Sequence, residues 1–315
     1  KMNINYLGQF FKYLAYLLII CIGFSWFAIQ NNLLEFTYTD LTNYQLSKID
    51  NIDYVDIAIV GDSSAGNGID ANLLGKMLNK KAISLVLTGS FGYGGSYIMA
   101  KKAIQKGAKE ILIVHTVDMP TRPSYLDHRA GVFLIRSFSD LLNLTEGIHH
   151  VLGLYLSKDI VATAIKQTFK YFFSNVEGTE NKRSDPSKYD YIKQHEKINA
   201  KNIDIKISSS LINKDKLYYL NKLANYCNEQ KVKCSYAHGP IHHSFCKNNS
   251  DYLSKINTLI SNTGINLLSE KPYCMNNDEV GDSEDHISVD LKNASTRYYY
   301  AILTSIISLK TGGSR

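Results

Sequence analysis

The sequence predicts an α/β protein built on a five-stranded parallel sheet, with one transmembrane helix in front of it. Short apolar runs rich in β-branched residues alternate with segments of helical period, which is the pattern of parallel α/β architecture. The predicted strands cover 54–60, 82–87, 110–115, 232–237 and 265–268. One uncharged apolar stretch lies near the N-terminus, outside this alternation.

Helices are predicted from apolar periodicity at 70–78, 96–105, 214–230, 252–261 and 291–309. Parallel strands joined by right-handed helical crossovers place helices on both faces of a sheet. We therefore expect a three-layer α/β/α sandwich.

The N-terminal stretch predicts a membrane anchor. Residues 13–29 contain no charged side chain, and a helix of this length at about 1.5 Å per residue suits a bilayer span. A cleaved signal peptide is the competing interpretation, although no A-x-A-like cleavage site follows the run. Lys1 and Lys12 precede the run, whereas Glu35 and Asp40 follow it. The positive-inside rule then predicts a cytoplasmic N-terminus and an extracytoplasmic remainder, in the periplasm or at the cell surface.

The composition indicates a folded protein that does not bind nucleic acid. Of the 315 residues, 44% are apolar and 20% are charged, close to the globular average, which excludes disordered and low-complexity classes. The net charge of +6 is scattered along the chain rather than clustered in Lys/Arg-rich runs, so no nucleic-acid partner is expected.

The cysteines fit an oxidising compartment. Cys21 lies in the predicted anchor, and Cys227, Cys234, Cys246 and Cys274 share one region. Four cysteines allow three pairings, and four buried free thiols are the alternative. We expect Cys227 to pair with Cys234, from a helix end to the next strand, and Cys246 with Cys274, between two loops.

The predicted domain order is an anchor at 1–31, a connector at 32–53 and an extracytoplasmic domain at 54–310. An insertion at about 119–213 interrupts that domain, since it is far longer than an ordinary connection. It carries an amphipathic segment at 160–173, which would cap the active site, lie on the membrane, dock a partner or pack as an ordinary core helix. The polar stretch 175–198 is predicted to be a surface loop.

Ser63 is a candidate nucleophile. It lies in the turn after the first predicted strand, within Gly-Asp-Ser-Ser. Open α/β sheets bind their ligands at the carboxyl ends of the strands, where this serine is placed. The same tripeptide is also typical of an ordinary turn and helix N-cap.

A second loop supplies an acid and a base. Residues 281–288 read Gly-Asp-Ser-Glu-Asp-His-Ile-Ser, immediately before the last predicted helix, and contain Asp282, Asp285 and His286. Nucleophilic serine chemistry needs a base that accepts the hydroxyl proton and an acid that orients that base. A solvated acidic loop with a capping histidine is the alternative.

Together these two motifs resemble the SGNH (GDSL) hydrolase superfamily, which has a flavodoxin-like sandwich. The resemblance implies that Ser63 is the nucleophile and His286 the base. It also implies an oxyanion hole formed by backbone N–H groups of Ser63 and of a glycine in the block after the second strand, either Gly89 or Gly92. The architecture matches over about 54–309, but only the two short motifs are specific.

The sequence departs from the family pattern at two places. The family acid normally stands three residues before the histidine, where this chain has Ser283. We prefer Asp282 with a one-residue bulge over Asp285, since an adjacent side chain in a loop usually points elsewhere. The third block, at 115–118, lacks the asparagine that would donate to the oxyanion.

These departures, the anchor and the insertion resemble a divergent branch that includes the D-alanyl transfer protein of teichoic acids and the alginate O-acetylation proteins. The resemblance implies an O-acyltransferase or esterase that moves an acyl group, expected to be acetyl, to or from a cell-surface polysaccharide together with a membrane-bound O-acyltransferase. His115, Asp118 and His238 are expected to line the substrate pocket, and no metal or cofactor is expected. A catalytically silent module that binds the polymer or scaffolds an acyltransferase is the alternative, and a stand-alone esterase or lipase is a third reading.

Overall fold

The computed structural model describes residues 4–31, 33–34, 39–122, 128–144, 153–173 and 196–311. The chain divides into two compact units. The first combines residues 1–43 with 127–184, and the second combines 44–126 with 185–315. Most of the predicted surface loop at 175–198 lies outside the described residues.

The α-helices of the described residues are α1 (Ile4–Gln30), α2 (Thr39–Asp50), α3 (Ser63–Gly68), α4 (Ala71–Leu78), α5 (Gly92–Gln105), α6 (His128–Leu134), α7 (Phe138–Leu144), α8 (Lys158–Phe173), α9 (Tyr218–Glu229), α10 (His243–Asn248), α11 (Ser250–Ser261) and α12 (Lys292–Thr311). The strands are β1 (Ile57–Gly61), β2 (Ala82–Ser84), β3 (Glu110–His115), β4 (Lys233–His238), β5 (Ile241–His242), β6 (Asn266–Leu267) and β7 (Cys274–Met275).

The second unit contains the predicted five-stranded sheet, in the order β2-β1-β3-β4-β6. All four strand pairs are parallel, with Gly61 opposite Val114 and His115 opposite His238. The prediction of an α/β fold with five parallel strands is therefore confirmed. Strand β2 is shorter than predicted, although Leu87 N–H still donates to the Gly61 carbonyl oxygen at 3.0 Å and continues the ladder.

Strand β1 is apolar on both faces. Every residue of β1 is buried, as expected for a parallel strand covered on both sides. One face packs against α3, α4 and α12, which contribute Ala65, Leu74 and Tyr299 to a shared cluster. The opposite face carries His115 and Tyr236, which contact α5 through Ser96 and Tyr93.

A short second sheet, which the sequence analysis did not predict, pairs β5 with β7 in parallel. Each of its strands has two residues, too few for alternation to be read from sequence. The Cys246–Cys274 disulfide lies beside it, and Cys227–Cys234 joins α9 to β4. Both disulfides have the predicted pairing, with Cα–Cα distances of 6.2 and 6.3 Å.

In the first unit, α1 is long and apolar enough over Tyr6–Gln30 to cross a membrane, a property that soluble core helices and signal sequences share. Its C-terminal end is packed on protein: Ser25 Oγ donates to the Tyr155 carbonyl oxygen at 3.0 Å, and the rings of Phe24 and Phe169 stack. The amphipathic segment predicted at 160–173 forms α8, and it packs against α1.

Candidate active site

The predicted blocks meet at one edge of the sheet. Because β1, β2, β3 and β4 are parallel neighbours, the residues that follow each strand lie at a common carboxyl edge. Gly61 is the last residue of β1, and its φ of +154° brings it so close to the Val114 carbonyl oxygen that a Cβ there would overlap that oxygen. A glycine is therefore required where the chain turns toward Ser63.

Asp62 fixes the turn that carries Ser63. Its Oδ1 accepts hydrogen bonds from Ser64 N–H at 3.0 Å and Ser64 Oγ at 2.6 Å, while its Oδ2 accepts from Thr116 N–H at 3.0 Å. Burial raises the pKa of Asp62, but the hydrogen bond and charge of His115, with the bonds from Ser64 and Thr116, outweigh burial and lower that pKa to about 2. The turn is thus held by an ionised buried carboxylate.

Ser63 is the first residue of α3 and is only half buried, between the buried Asp62 and Ser64. Its hydroxyl makes no hydrogen bond to any residue that the structure describes. The backbone N–H groups of Ser63 and Gly89 likewise donate to none of the described residues. Gly92 differs, because its N–H donates to the Gly89 carbonyl oxygen. Of the two glycines predicted for the oxyanion hole, Gly89 is the one with an available donor.

The loop before α12 brings His286 and Asp282 together. His286 Nδ1 lies 2.7 Å from Asp282 Oδ1. Two backbone hydrogen bonds close the loop, from Gly281 N–H to the His286 carbonyl oxygen at 2.7 Å and from His286 N–H to the Ser283 carbonyl oxygen at 3.1 Å. This tight closure brings together two side chains that are four residues apart in sequence. The spacing is one residue longer than the family's spacing of three.

Asp285 lies on the other side of the imidazole. Its Oδ1 is 3.7 Å from His286 Nε2 and accepts a hydrogen bond from Ser283 Oγ at 2.5 Å. Burial raises the pKa of Asp285, with smaller opposing effects of His286 and Ser283 and smaller reinforcing effects of Asp62 and Asp118. His286 therefore has a close carboxylate at Nδ1 and a more distant one at Nε2.

Hydrogen bonds join α12, which follows this loop, to the segment that begins with Ser63. Lys292 Nζ, at the start of α12, donates to the Gly66 carbonyl oxygen in α3 at 2.7 Å. Asp70 N–H donates to Thr296 Oγ1 at 2.9 Å. No hydrogen bond joins Ser63 Oγ to His286 in the described structure. Catalytic contacts of this kind are often long before substrate binds.

Asp118 and Arg122 form an ion pair after β3. Arg122 Nη2 is 3.2 Å from Asp118 Oδ1, and Nε is 3.4 Å from Oδ2. Arg122 Nη1 rests against Gly89, where a Cβ would overlap it. The predicted pocket residue Asp118 thus holds an arginine at the predicted oxyanion-hole glycine.

His115 and His238 are both buried at the ends of their strands. His115 lies 2.8 Å from Ser96 Oγ through Nε2 and 3.3 Å from Asp62 Oδ2 through Nδ1. This Ser–His–Asp chain, which sequence reasoning missed, is 0–2% exposed. Ser96 is therefore inaccessible as a nucleophile, and the chain supports the Asp62 turn instead.

His238 Nε2 lies 2.7 Å from Asn257 Oδ1, while Nδ1 is buried without a hydrogen-bond partner among the described residues. Burial lowers the pKa of His238 to about 4, with the Asn257 hydrogen bond opposing it. His242 and His243 both approach Asn277 Oδ1, at 2.7 and 3.3 Å. Among the described residues there is no group of three His, Cys, Asp or Glu side chains arranged to hold a metal ion.

Comparison with known proteins found no matching protein-family model, no matching curated protein and no matching solved structure.

Proposed function

We propose that this chain is a membrane-anchored, extracytoplasmic SGNH-type O-acyltransferase or esterase with the family's α/β/α sandwich. The observation that carries the proposal is the Asp282–His286 pair at 2.7 Å. It lies in the loop before α12, and α12 contacts the helix of Ser63, whose hydroxyl is not engaged with any described residue. An acid that orients a histidine next to an available serine is the arrangement that acyl transfer requires.

In the proposed reaction, Ser63 Oγ attacks the carbonyl carbon of an acyl ester or thioester, and His286 Nε2 accepts the hydroxyl proton. Asp282 accepts a hydrogen bond from Nδ1–H, which fixes the tautomer and stabilises the imidazolium. The tetrahedral intermediate collapses, and the leaving alcohol or thiol takes the proton from His286. A glycan hydroxyl or water then attacks the acyl-enzyme by the same proton route, and Ser63 is released.

The cellular setting of the proposal rests on the anchor and the disulfides. Helix α1 is long and apolar enough over Tyr6–Gln30 to cross a membrane, and its uncharged run at 13–29 spans about 26 Å, close to the thickness of a bilayer's hydrocarbon core. Lysines precede the apolar run and acidic residues follow it, which favours a cytoplasmic N-terminus. Two disulfides in the second unit are typical of an extracytoplasmic compartment. Digestion by a protease added outside intact cells tests this orientation.

The substrate and partner follow from the family resemblance. They are an acetyl group, a cell-surface polysaccharide and a membrane-bound O-acyltransferase that delivers the acyl group. Acylation of the polymer in cells that carry wild type or the Ser63→Ala variant tests this part of the proposal.

The direct test is labelling of the full-length protein in detergent by a fluorophosphonate, which reacts with activated serines. We expect labelling of wild type and none of Ser63→Ala or His286→Ala. The matched control is Ser254→Ala, on the exposed side of α11, which should label like wild type. Absence of labelling in wild type, with the O-acyltransferase present, would overturn the enzymatic proposal.

A catalytically silent polymer-binding or scaffold module is the second candidate. It is favoured by one observation, namely that His286 Nε2 faces Asp285 at 3.7 Å and has no hydrogen bond with Ser63 in the described structure. On this alternative, Ser63→Ala would leave polymer acylation and polymer binding unchanged in cells.

A further inference from the structure

Arg122 reaches from the segment after β3 to the segment after β2. It follows β3, yet its guanidinium contacts Gly89, which follows β2. Strand β1 lies between β2 and β3, and neighbouring strands are about 4.8 Å apart, so this contact spans roughly 10 Å of the edge. Because Ser63 follows β1, we infer that the guanidinium lies on the same edge of the sheet as this serine.

One nitrogen of this guanidinium makes no hydrogen bond within the described residues. Nε and Nη2 face the Asp118 carboxylate at 3.4 and 3.2 Å. Nη1, the nitrogen that lies on Gly89, donates to no residue in the described part of the chain. An arginine carries five N–H donors in a rigid plane. Asp118 thus orients the group, and Nη1 lies against Gly89.

The carboxylates around Arg122 come from three of the four sequence blocks. Burial lowers the pKa of Arg122, but the carboxylates of Asp118, Asp62 and Asp285 outweigh burial and raise it. These carboxylates belong to the β3, β1 and His286 segments respectively. The guanidinium is consequently a fixed positive charge at the point where the three segments converge.

We propose that Arg122 Nη1 is a charged oxyanion donor for Ser63, in the place where the sequence lacks an asparagine. The inference rests on the proposed function, because it requires that Ser63 is acylated. When Ser63 Oγ bonds to the acyl carbon, the carbonyl π electrons move to the oxygen. That oxygen accepts hydrogen bonds from Nη1 and from the N–H groups of Ser63 and Gly89. On collapse the C=O bond reforms, and the leaving group departs with the proton from His286.

The Gly89 contact explains why this position suits glycine. Any Cβ would overlap Nη1, so a side chain there displaces the guanidinium without removing it. Gly89→Ala is therefore a second way to remove the donor from its place. Its expected effect is a loss of acylation rate in the same direction as that of an Arg122 substitution.

The experiment measures the second-order rate of fluorophosphonate labelling by full-length protein in detergent, because the phosphoryl oxygen of the probe becomes anionic during attack. Removal of one oxyanion donor costs about 10²- to 10³-fold, and we expect Arg122→Gln to lose this much. Arg122→Lys, which keeps the charge but not the planar fork, should lose less. Arg297→Gln, at an exposed position on α12, is the matched control and should label like wild type.

A chemical rescue separates a donor from a purely structural role. Arg122→Ala should regain at least about tenfold in labelling rate with millimolar methylguanidinium, which wild type and Ser63→Ala should not show. Thermal unfolding of each variant identifies any that fails to fold, and the rescue is read on the folded ones. Arg122→Gln labelling at the wild-type rate, while Ser63→Ala stays unlabelled, would overturn the role of Arg122 and leave the proposed function standing. A wild type that never labels would overturn both.

Discussion

The buried imidazole of His238 makes the stability of the protein depend on pH between 6.5 and 4. Nε2 bonds to Asn257, whereas Nδ1 is buried without a partner among the described residues. Protonation at Nδ1 would place a positive charge in the protein interior, at the end of β4, without a hydrogen-bond acceptor among the described residues. Burial therefore lowers the pKa of His238 from 6.5 to about 4.

The sign and size of the effect follow from proton linkage. Between pH 6.5 and 4 the unfolded chain binds a proton at this histidine that the folded chain does not bind. The stabilisation is therefore fully present above pH 6.5 and is lost as the pH falls to 4. Lowering the pKa from 6.5 to about 4 at 1.36 kcal/mol per pKa unit predicts a loss of about 3 kcal/mol.

The assay is urea unfolding of the full-length protein in nonionic detergent at pH 7 and pH 4, followed by far-ultraviolet circular dichroism. His238→Gln retains an amide that donates to Asn257 but does not titrate. Between pH 7 and pH 4, we expect the free energy of unfolding of wild type to fall by about 3 kcal/mol more than that of His238→Gln. Equal losses in the two proteins would refute the buried neutral histidine.

Three further predictions concern other parts of the second unit. Asp62, with its pKa lowered to about 2, should contribute about 2 kcal/mol to the free energy of unfolding, and this contribution is lost as the pH falls from 4 to 2. Asp62→Asn should abolish that pH dependence in urea titrations. A wild type whose stability does not change over this pH range would contradict the prediction. Asp282→Asn should slow fluorophosphonate labelling by on the order of 10⁴-fold, whereas Asp285→Asn should change it less than about tenfold; the reverse order would reassign the acid. Replacing both cysteines of a bridge with serine should lower the free energy of unfolding by about 2 kcal/mol for Cys227–Cys234 and by about 4 kcal/mol for Cys246–Cys274 in the same urea assay. The difference arises because the two bridges close sequence separations of 7 and 28 residues. Equal losses would contradict the loop-entropy explanation.

The main sheet was predictable because its signal is local. Strands β1 and β3 are rich in apolar β-branched residues and are largely buried, so composition over a few residues identifies them. The predicted 110–115 coincides with Glu110–His115, and 232–237 differs from Lys233–His238 by one residue at each end. The two-residue strands β5 and β7 gave no such signal and were missed. The start of α5 at Gly92 was also earlier than predicted, because glycines hide helical periodicity.

For the candidate site, the sequence by itself determined which residue types lie at the carboxyl edge: a serine after β1, glycines after β2, and an acid and histidine before α12. The closure of one loop decides that Asp282 contacts His286 Nδ1. Only the tertiary structure decided the partners that are distant in sequence. Asp62 and His115 are 53 residues apart. Arg122, after β3, contacts Gly89, after β2, although β1 lies between those two strands in the sheet. Sequence periodicity reports the burial of a segment, whereas the order of strands in a sheet determines which side chains meet across it.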